Sequence, residues 1–209
     1  EYDLDQLPAL TAWNGSTVLR VSINQDYYSV KEVTLRRMGK ITDLTIDATD
    51  ITNDDSWVIN VEEGSSLNYL KIDGSLTASL YASECNIIGH VDLTNVAAKS
   101  RLELYQNPSL TTVTLGSFDG DYLYLYDCDI SSLTITQPLV AVIVNLSNNN
   151  LSDLDIVEDI VNNLTAKFST VTLKLGGNGV WSGGALFPTG TQADAIMAEA
   201  ALRSITITA

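Results

Sequence analysis

Apolar residues separated by one position return along this chain about every ten or eleven residues, a rhythm that admits few folds. The pairs run Leu70/Ile72, Leu80/Ala82, Val91/Leu93, Leu102/Leu104, Val113/Leu115, Leu123/Leu125, Leu133/Ile135, Val144/Leu146 and Leu154/Ile156. Such period-two spacing means short strands with one buried face. The pairs alternate between two classes. The first reads L-x-L-x-x-N/C-x-L: LYASECNI from Leu80, LYLYDCDI from Leu123, VNLSNNNL from Val144 and LKLGGNGV from Leu173. LELYQNPSL from Leu102 carries one extra residue after its Asn, and LTIDATDI from Leu44 reads as an earlier, degenerate copy. The second class is Leu/Val-x-Leu/Ile after Thr, Ser or Asp, as in LTTVTL, ISSLTI and LSDLDI.

The sixth position of the first class holds Cys85, Asn107, Cys128, Asn149 and Asn178, at steps of 22, 21, 21 and 29 residues. The long last step leaves room for an inserted helix. A strand–turn–strand coil cannot bury its apolar edge alone, so coils stack and share one core. The turn after the first strand aims backbone polar groups inward, where an Asn can bond them and the next coil. A Cys suits the same slot as a small, mostly buried side chain. These five residues are therefore expected to form a structural ladder. The fold expected is mainly β, a solenoid with short parallel strands on two edges and a helix-containing C-terminal cap.

The ladder predicts the state of the cysteines. Stacked strands lie roughly 4.8 Å apart, so Cys85 and Cys128, with Asn107 between them, are separated by about 10 Å. A disulfide needs Cα atoms within about 7 Å, so two free, buried thiols are expected. Cysteine catalysis lacks a nearby base, because the only histidine, His90, is expected on the outer face of the Val91/Leu93 strand.

LSNNNLSDLDI and LYLYDCDISSLTI resemble the 21-residue leucine-rich repeats of bacterial surface proteins, similar to the internalin class with Asn or Cys ladders and to repeat proteins of gut bacteroidetes. The likeness runs from about Leu67 to the C-terminus and is strongest over Leu123–Leu151. The tail extends it. Ile156–Lys167 reads as a helix with Val157, Ile160, Val161, Leu164 and Phe168 on one face. LKLGGNG, a Gly/Pro loop, a helix at Thr191–Leu202 and a strand SITIT follow, resembling the C-terminal cap of those proteins. The resemblance implies a right-handed leucine-rich-repeat solenoid, an extended binding scaffold outside a bacterial cell or on its surface. The chain departs from the pattern in having few, irregular repeats. Ala82 and Ser83-Glu84 weaken one coil, and Ser117–Asp121 interrupts another.

One continuous domain is expected, with an N-terminal cap and degenerate coils over 1–66, repeat coils over 67–156, and a terminal repeat with its cap over 157–209. VLRVSIN, VKEVTLRR, ITDLTID and WVINVEE alternate as strands in the first part. Trp13 and Trp57 are expected to cover the first coil, and Pro8 and Asn14-Gly15 to make turns. Opening at Glu1 without Met, the chain is expected to be a mature or trimmed fragment.

Charge narrows the partners. A formal net charge of −15 argues against nucleic acid and against docking on an anionic membrane. No apolar run reaches the length of a membrane span. The acidic residues cluster at Asp119/Asp121, Asp127/Asp129 and Asp54-Asp55, and read as solvated coil edges. Asp50, Asp54 and Asp55 are the best calcium candidates, yet match no calcium-loop spacing. No cofactor or metal site is expected.

Alternate side chains of the first-class strands should face solvent. They include Tyr81, then Arg101, Glu103 and Tyr105, then Tyr122, Tyr124 and Tyr126. Five of the nine tyrosines thus share one face. Tyrosine combines apolar area with a hydroxyl and suits protein interfaces and sugar rings alike; a tyrosine ladder can equally serve to stabilise a parallel sheet. The opposite face carries Thr112, Thr114, Ser132, Thr134 and Thr136. The leading expectation is a noncatalytic module binding a protein or glycan through the seven residues of the aromatic face. The alternative is a structural spacer or assembly block of a larger surface protein. A carbohydrate-active enzyme would need paired carboxylates, for which Glu103 and Asp127 are the nearest choice. No nucleophile triad, phosphate loop or Cys/His metal spacing is present.

Overall fold

A computed structural model describes residues 2–3, 17–22, 32–36, 41–47, 58–61, 67–73, 79–85, 87–98, 100–179 and 190–208. Trp13, Trp57, Pro8, Asn14-Gly15, the Asp50/Asp54/Asp55 group and the Gly/Pro loop before residue 190 lie outside them.

The described chain is a β-solenoid of parallel strands with two short helices. One sheet comprises β1 (Tyr2–Asp3), β3 (Glu32–Arg36), β5 (Val58–Val61), β7 (Ser79–Tyr81), β9 (Arg101–Glu103), β11 (Tyr122–Tyr124), β14 (Ile143–Asn145), β16 (Val171–Lys174) and β17 (Ile205–Thr208), in that spatial order. The other runs β2 (Thr17–Ser22), β4 (Ile41–Asp47), β6 (Tyr69–Asp73), β8 (Ile88–Ala98), β10 (Ser109–Asp119), β13 (Leu139–Ala141), β15 (Leu164–Ala166), with β12 (Ser132–Ile135) beside β10.

The two classes of apolar pair are the two sheets. Leu80, Leu102, Leu123, Val144 and Leu173 stand directly opposite one another along the first. Leu70, Val91, Val113 and Leu133 do so along the second. Between them the inward aliphatics form one continuous core that also takes in Leu44 and Ile46 near one end and Ile205 and Ile207 at the other. Each fully buried Leu or Ile is worth roughly 1.5–3 kcal/mol against exposure. The stacking of successive coils pairs the edges of these short strands and closes the core over their inward faces, while the outward faces stay at the surface.

The structure corrects several expectations. LTIDATDI is not a first-class copy, because β4 lies in the second sheet between β2 and β6. Leu154 and Ile156 do not form a strand; they open α1 (Leu154–Asn163). Asp153 caps that helix by accepting from the Asp155 N–H at 2.9 Å, which redirects a segment whose apolar spacing also suits a strand. Val157, Ile160 and Val161 face the core, but the helix ends at Asn163, so Leu164 is buried as the first residue of β15. Phe168, beyond β15, is 73% exposed and belongs to no helix face. Ser117–Asp121 does not interrupt a coil. β10 bends there, pairing with β12 through Val113 and Leu115 and with β13 through Phe118. Gly116 allows the bend, since a Cβ would lie 2.6 Å from the carbonyl oxygens of Leu93, Thr94 and Val96. The second helix, α2 (Thr191–Leu202), and the final strand stand where their sequence pattern places them.

Asn107, Asn149 and Asn178 line up at the turn that follows the first sheet. Asn107 Nδ2 donates to the Ala82 and Leu104 carbonyls at 2.8 and 2.7 Å, while its Oδ1 accepts from the N–H groups of Cys85 and Ile87, each at 3.1 Å. Asn149 donates to Leu125 and Leu146 and accepts from Ile130. Asn178 donates to Leu146 and Leu175 and accepts from Leu151. The cysteines fill the same slots by donating their thiols, Cys85 to the Val61 carbonyl and Cys128 to that of Leu104. Neither is in a disulfide, and they lie two coils apart with Asn107 between them; Cys85 is buried, whereas Cys128, expected to be buried, is half-buried. A thiol offers no strong acceptor. In the coil below Cys128 the demand is reduced: Pro108 has no N–H, and the Leu110 N–H bonds the Asn107 carbonyl at 2.9 Å.

The residue before each rung has positive φ: Glu84 at 58°, Gln106 at 56°, Asp127 at 54°, Asn148 at 55° and Gly177 at 77°. This left-handed step turns the chain so that the rung side chain points into the core, at a cost of roughly 1 kcal/mol for a non-glycine residue.

Candidate functional site

The aromatic face is built by the three-residue strands β7, β9 and β11 and the turns that follow them. Register sets it: Tyr81 and Tyr124 flank Glu103 on neighbouring strands, and Tyr122 lies beside Arg101. One step further on, backbone bonds from Glu84 N–H to the Tyr105 carbonyl and from Gln106 N–H to that of Tyr126 bring Ser83, Tyr105 and Tyr126 into line. The same pattern adds Ser147 and Gly176 beyond Tyr126.

The rings touch in a continuous series. Tyr105 and Tyr126 stack with centroids 4.7 Å apart and planes within 2°. Tyr124 meets Tyr126 edge-on at 6.0 Å, and Tyr122 tilts against Tyr124 at 5.5 Å. The Arg101 guanidinium lies over the Tyr122 ring, 4.8 Å from its centroid, and reaches Glu103 Oε1 at 3.5 Å. Tyr81, Tyr105, Tyr122, Tyr124 and Tyr126 are all half-buried, and Arg101 is exposed. Glu103 is not the solvent-facing residue expected. It is only 9% exposed, shielded by Tyr81 and Tyr124 on the adjoining strands and drawn toward Arg101.

Burial raises the Tyr124 hydroxyl above its ordinary pKa, helped by Tyr122 and Glu103 and opposed by Arg101. Burial also raises that of Tyr126, with Tyr105, Asp127 and Glu103 adding to it. Both phenols thus stay neutral donors throughout the physiological range. Asp127, the other carboxylate considered for chemistry, sits at the left-handed step and accepts from Asn148 Nδ2 at 2.7 Å. Each of the two carboxylates is therefore engaged by a partner side chain. Among the described residues no group of three or more His, Cys, Asp or Glu side chains is placed to hold a metal ion, and no helix is long and apolar enough to cross a membrane.

The second sheet holds a polar cluster that sequence reading passed over. His90 does face outward, but it meets Tyr69 edge-on at 5.4 Å and shares a 3.2 Å contact between Nε2 and Thr114 Oγ1. Tyr69 donates to Asp92 at 3.2 Å. Burial opposes ionisation of Asp92, yet hydrogen bonds from the Thr94 hydroxyl and N–H and from Tyr69 outweigh it, and its pKa falls below the ordinary value. The signal was available in the spacing: Tyr69 and His90 are opposite residues of neighbouring strands, one repeat apart.

No protein-family model, curated protein or solved structure matches this chain.

Proposed function

We propose that the chain is a leucine-rich-repeat solenoid serving as a noncatalytic binding module, outside a bacterial cell or on its surface, that recognises a protein or glycan through its aromatic face. The ladder of Asn107, Asn149 and Asn178, with cysteines in equivalent slots, supports the repeat assignment. One observation carries the binding reading. Tyr81, Tyr105, Tyr122, Tyr124 and Tyr126 gather on one side of a rigid sheet with their rings half-exposed, and Arg101 lies at the margin. Tyr and Arg are the side chains in which interface energy concentrates. A sheet that holds them in place spares a ligand much of the ordering cost of binding.

The test is a glycan array together with a protein pulldown, each run with the native chain and with Tyr105→Ala and Tyr124→Ala. Ligand captured by the native chain and lost in both variants supports the face; ligand retained in both removes it. The close stack of Tyr105 on Tyr126 favours a second reading, a spacer or assembly block whose tyrosines serve the sheet. In that case the same substitutions lower the melting temperature and no ligand is found.

A further inference from the structure

The Tyr105–Tyr126 stack is unfinished. Its rings are spaced at one coil, and the next two positions in the column are Ser147 and Gly176. Ser147 is small and half-buried, its hydroxyl turned to Asn145 Oδ1 at 2.7 Å, and Gly176 has no side chain. The ring face of Tyr126 away from Tyr105 therefore looks over a notch floored by two residues too small to fill it. A planar group entering there would continue the stack at the spacing the two tyrosines already keep.

The chemistry of that group is indicated on the same face, at Tyr122, four residues before Tyr126. Arg101 lies over Tyr122 with its guanidinium next to Glu103, so this face already holds one planar cation between a tyrosine ring and a carboxylate. The notch repeats those parts, with Tyr126 as the ring and Asp127, at the turn immediately following, as the carboxylate. The chain as a whole carries a net charge of −15, which draws cationic partners. Lys174, exposed beside Asn145 on the next strand, is a positive charge on the same sheet.

Building on the reading of the aromatic face as a binding surface, we propose that its partner is a protein that inserts an arginine into the notch beside Tyr126. The guanidinium stacks on the ring over Ser147 and pairs with Asp127. Arginine is selected over lysine because a planar, weakly hydrated cation can lie flat on a ring and still donate sideways.

The experiment titrates the folded chain with an arginine–glycine peptide and a lysine–glycine peptide of equal length, at about 0.15 M salt. The arginine peptide is expected to bind about fivefold more tightly or better, the scale of one cation–π contact. Tyr126→Ala and Ser147→Leu should each abolish the preference, the first by removing the ring and the second by filling the notch. Ser147→Ala should keep it, and Lys174→Glu should strengthen arginine binding. Melting curves establish that every variant is folded. Equal affinity for the two peptides, or a preference that survives both Tyr126→Ala and Ser147→Leu, overturns the proposal. If arginine gains nothing while Tyr105→Ala and Tyr124→Ala still abolish glycan capture, the occupant is a sugar ring: the face stands and arginine falls. If no ligand responds to any tyrosine, the reading of the face falls with it.

Discussion

Asn107 reaches back one coil and donates its side-chain amide to the main-chain carbonyl of Ala82 at 2.8 Å. That bond is one of five that tie a buried side chain to two successive turns of the backbone. Asn107→Leu keeps the size and takes from the Ala82 carbonyl and the Cys85 and Ile87 N–H groups the partner that Asn107 gives them, while the Leu104 carbonyl keeps only the Cys128 thiol. The expected loss is about 3 kcal/mol or more, since each orphaned buried group costs roughly 1–3 kcal/mol. Asn107→Cys should fall between, because a thiol can still donate but cannot accept from Cys85 and Ile87. Urea unfolding monitored by circular dichroism ranks the three proteins.

The left-handed step before each rung makes a second prediction. Gln106→Gly removes the steric cost of φ at 56° and is expected to leave stability unchanged or raise it by up to about 1 kcal/mol. Gln106→Val should lower it by about 2 kcal/mol, because a β-branched residue fits that region worst. Gly177→Ala is expected to be worse than either. Its Cβ would sit 2.1 Å from Asn148 Oδ1, pushing away the side chain that holds Asp127. Thermal melts of the three variants check the order.

The Tyr105–Tyr126 stack should be measurable on its own. A double-mutant cycle with alanine at both positions is expected to give a coupling of about 1 kcal/mol, typical of an aromatic pair beyond simple burial. A coupling near zero would mean that the rings are held apart in solution.

Burial pushes the Cys128 thiol from its ordinary 9.0 up to about 11. Folding therefore favours the neutral form. Its contribution is complete below pH 9, declines between pH 9 and about 11 as the unfolded chain ionises first, and is gone above that. Partly screened by solvent, the change amounts to roughly 2 kcal/mol. Subtracting the pH dependence of a Cys128→Ala variant from that of the native chain isolates this slope. In the native chain Cys128 should also react only slowly with a thiol reagent at pH 8.

How far these features were legible depended on how local they are. The rungs were legible because Asn or Cys must recur at coil length to meet the coil before, and the steps from Cys85 to Asn149 record that directly. The residue before each rung was not, because Glu84, Gln106, Asp127 and Asn148 share a backbone angle and little chemistry. LSDLDI matched the second-class strands in apolar spacing, and the cap made by Asp153 starts the helix two residues before the helical spacing that follows would place it. Leu44 kept the right period but gave no sign of which sheet it joins, since both sheets repeat alike. On the aromatic face, alternation placed the tyrosines outward, but shielding of Glu103 depends on which residues stand opposite it, and that register is fixed only by stacking.

Because Asn107, Asn149 and Asn178 each bond to their own turn and the one before it, no rung depends on how many turns lie further away. Length is therefore a free variable in this architecture, adjustable in whole units and in nothing smaller. Excising one full repeat would let two distant surfaces meet through compatible edges, whereas excising half of one would set an apolar strand against the wrong sheet. Duplication within a gene can thus change how far such a molecule reaches while leaving unchanged what its aromatic patch presents.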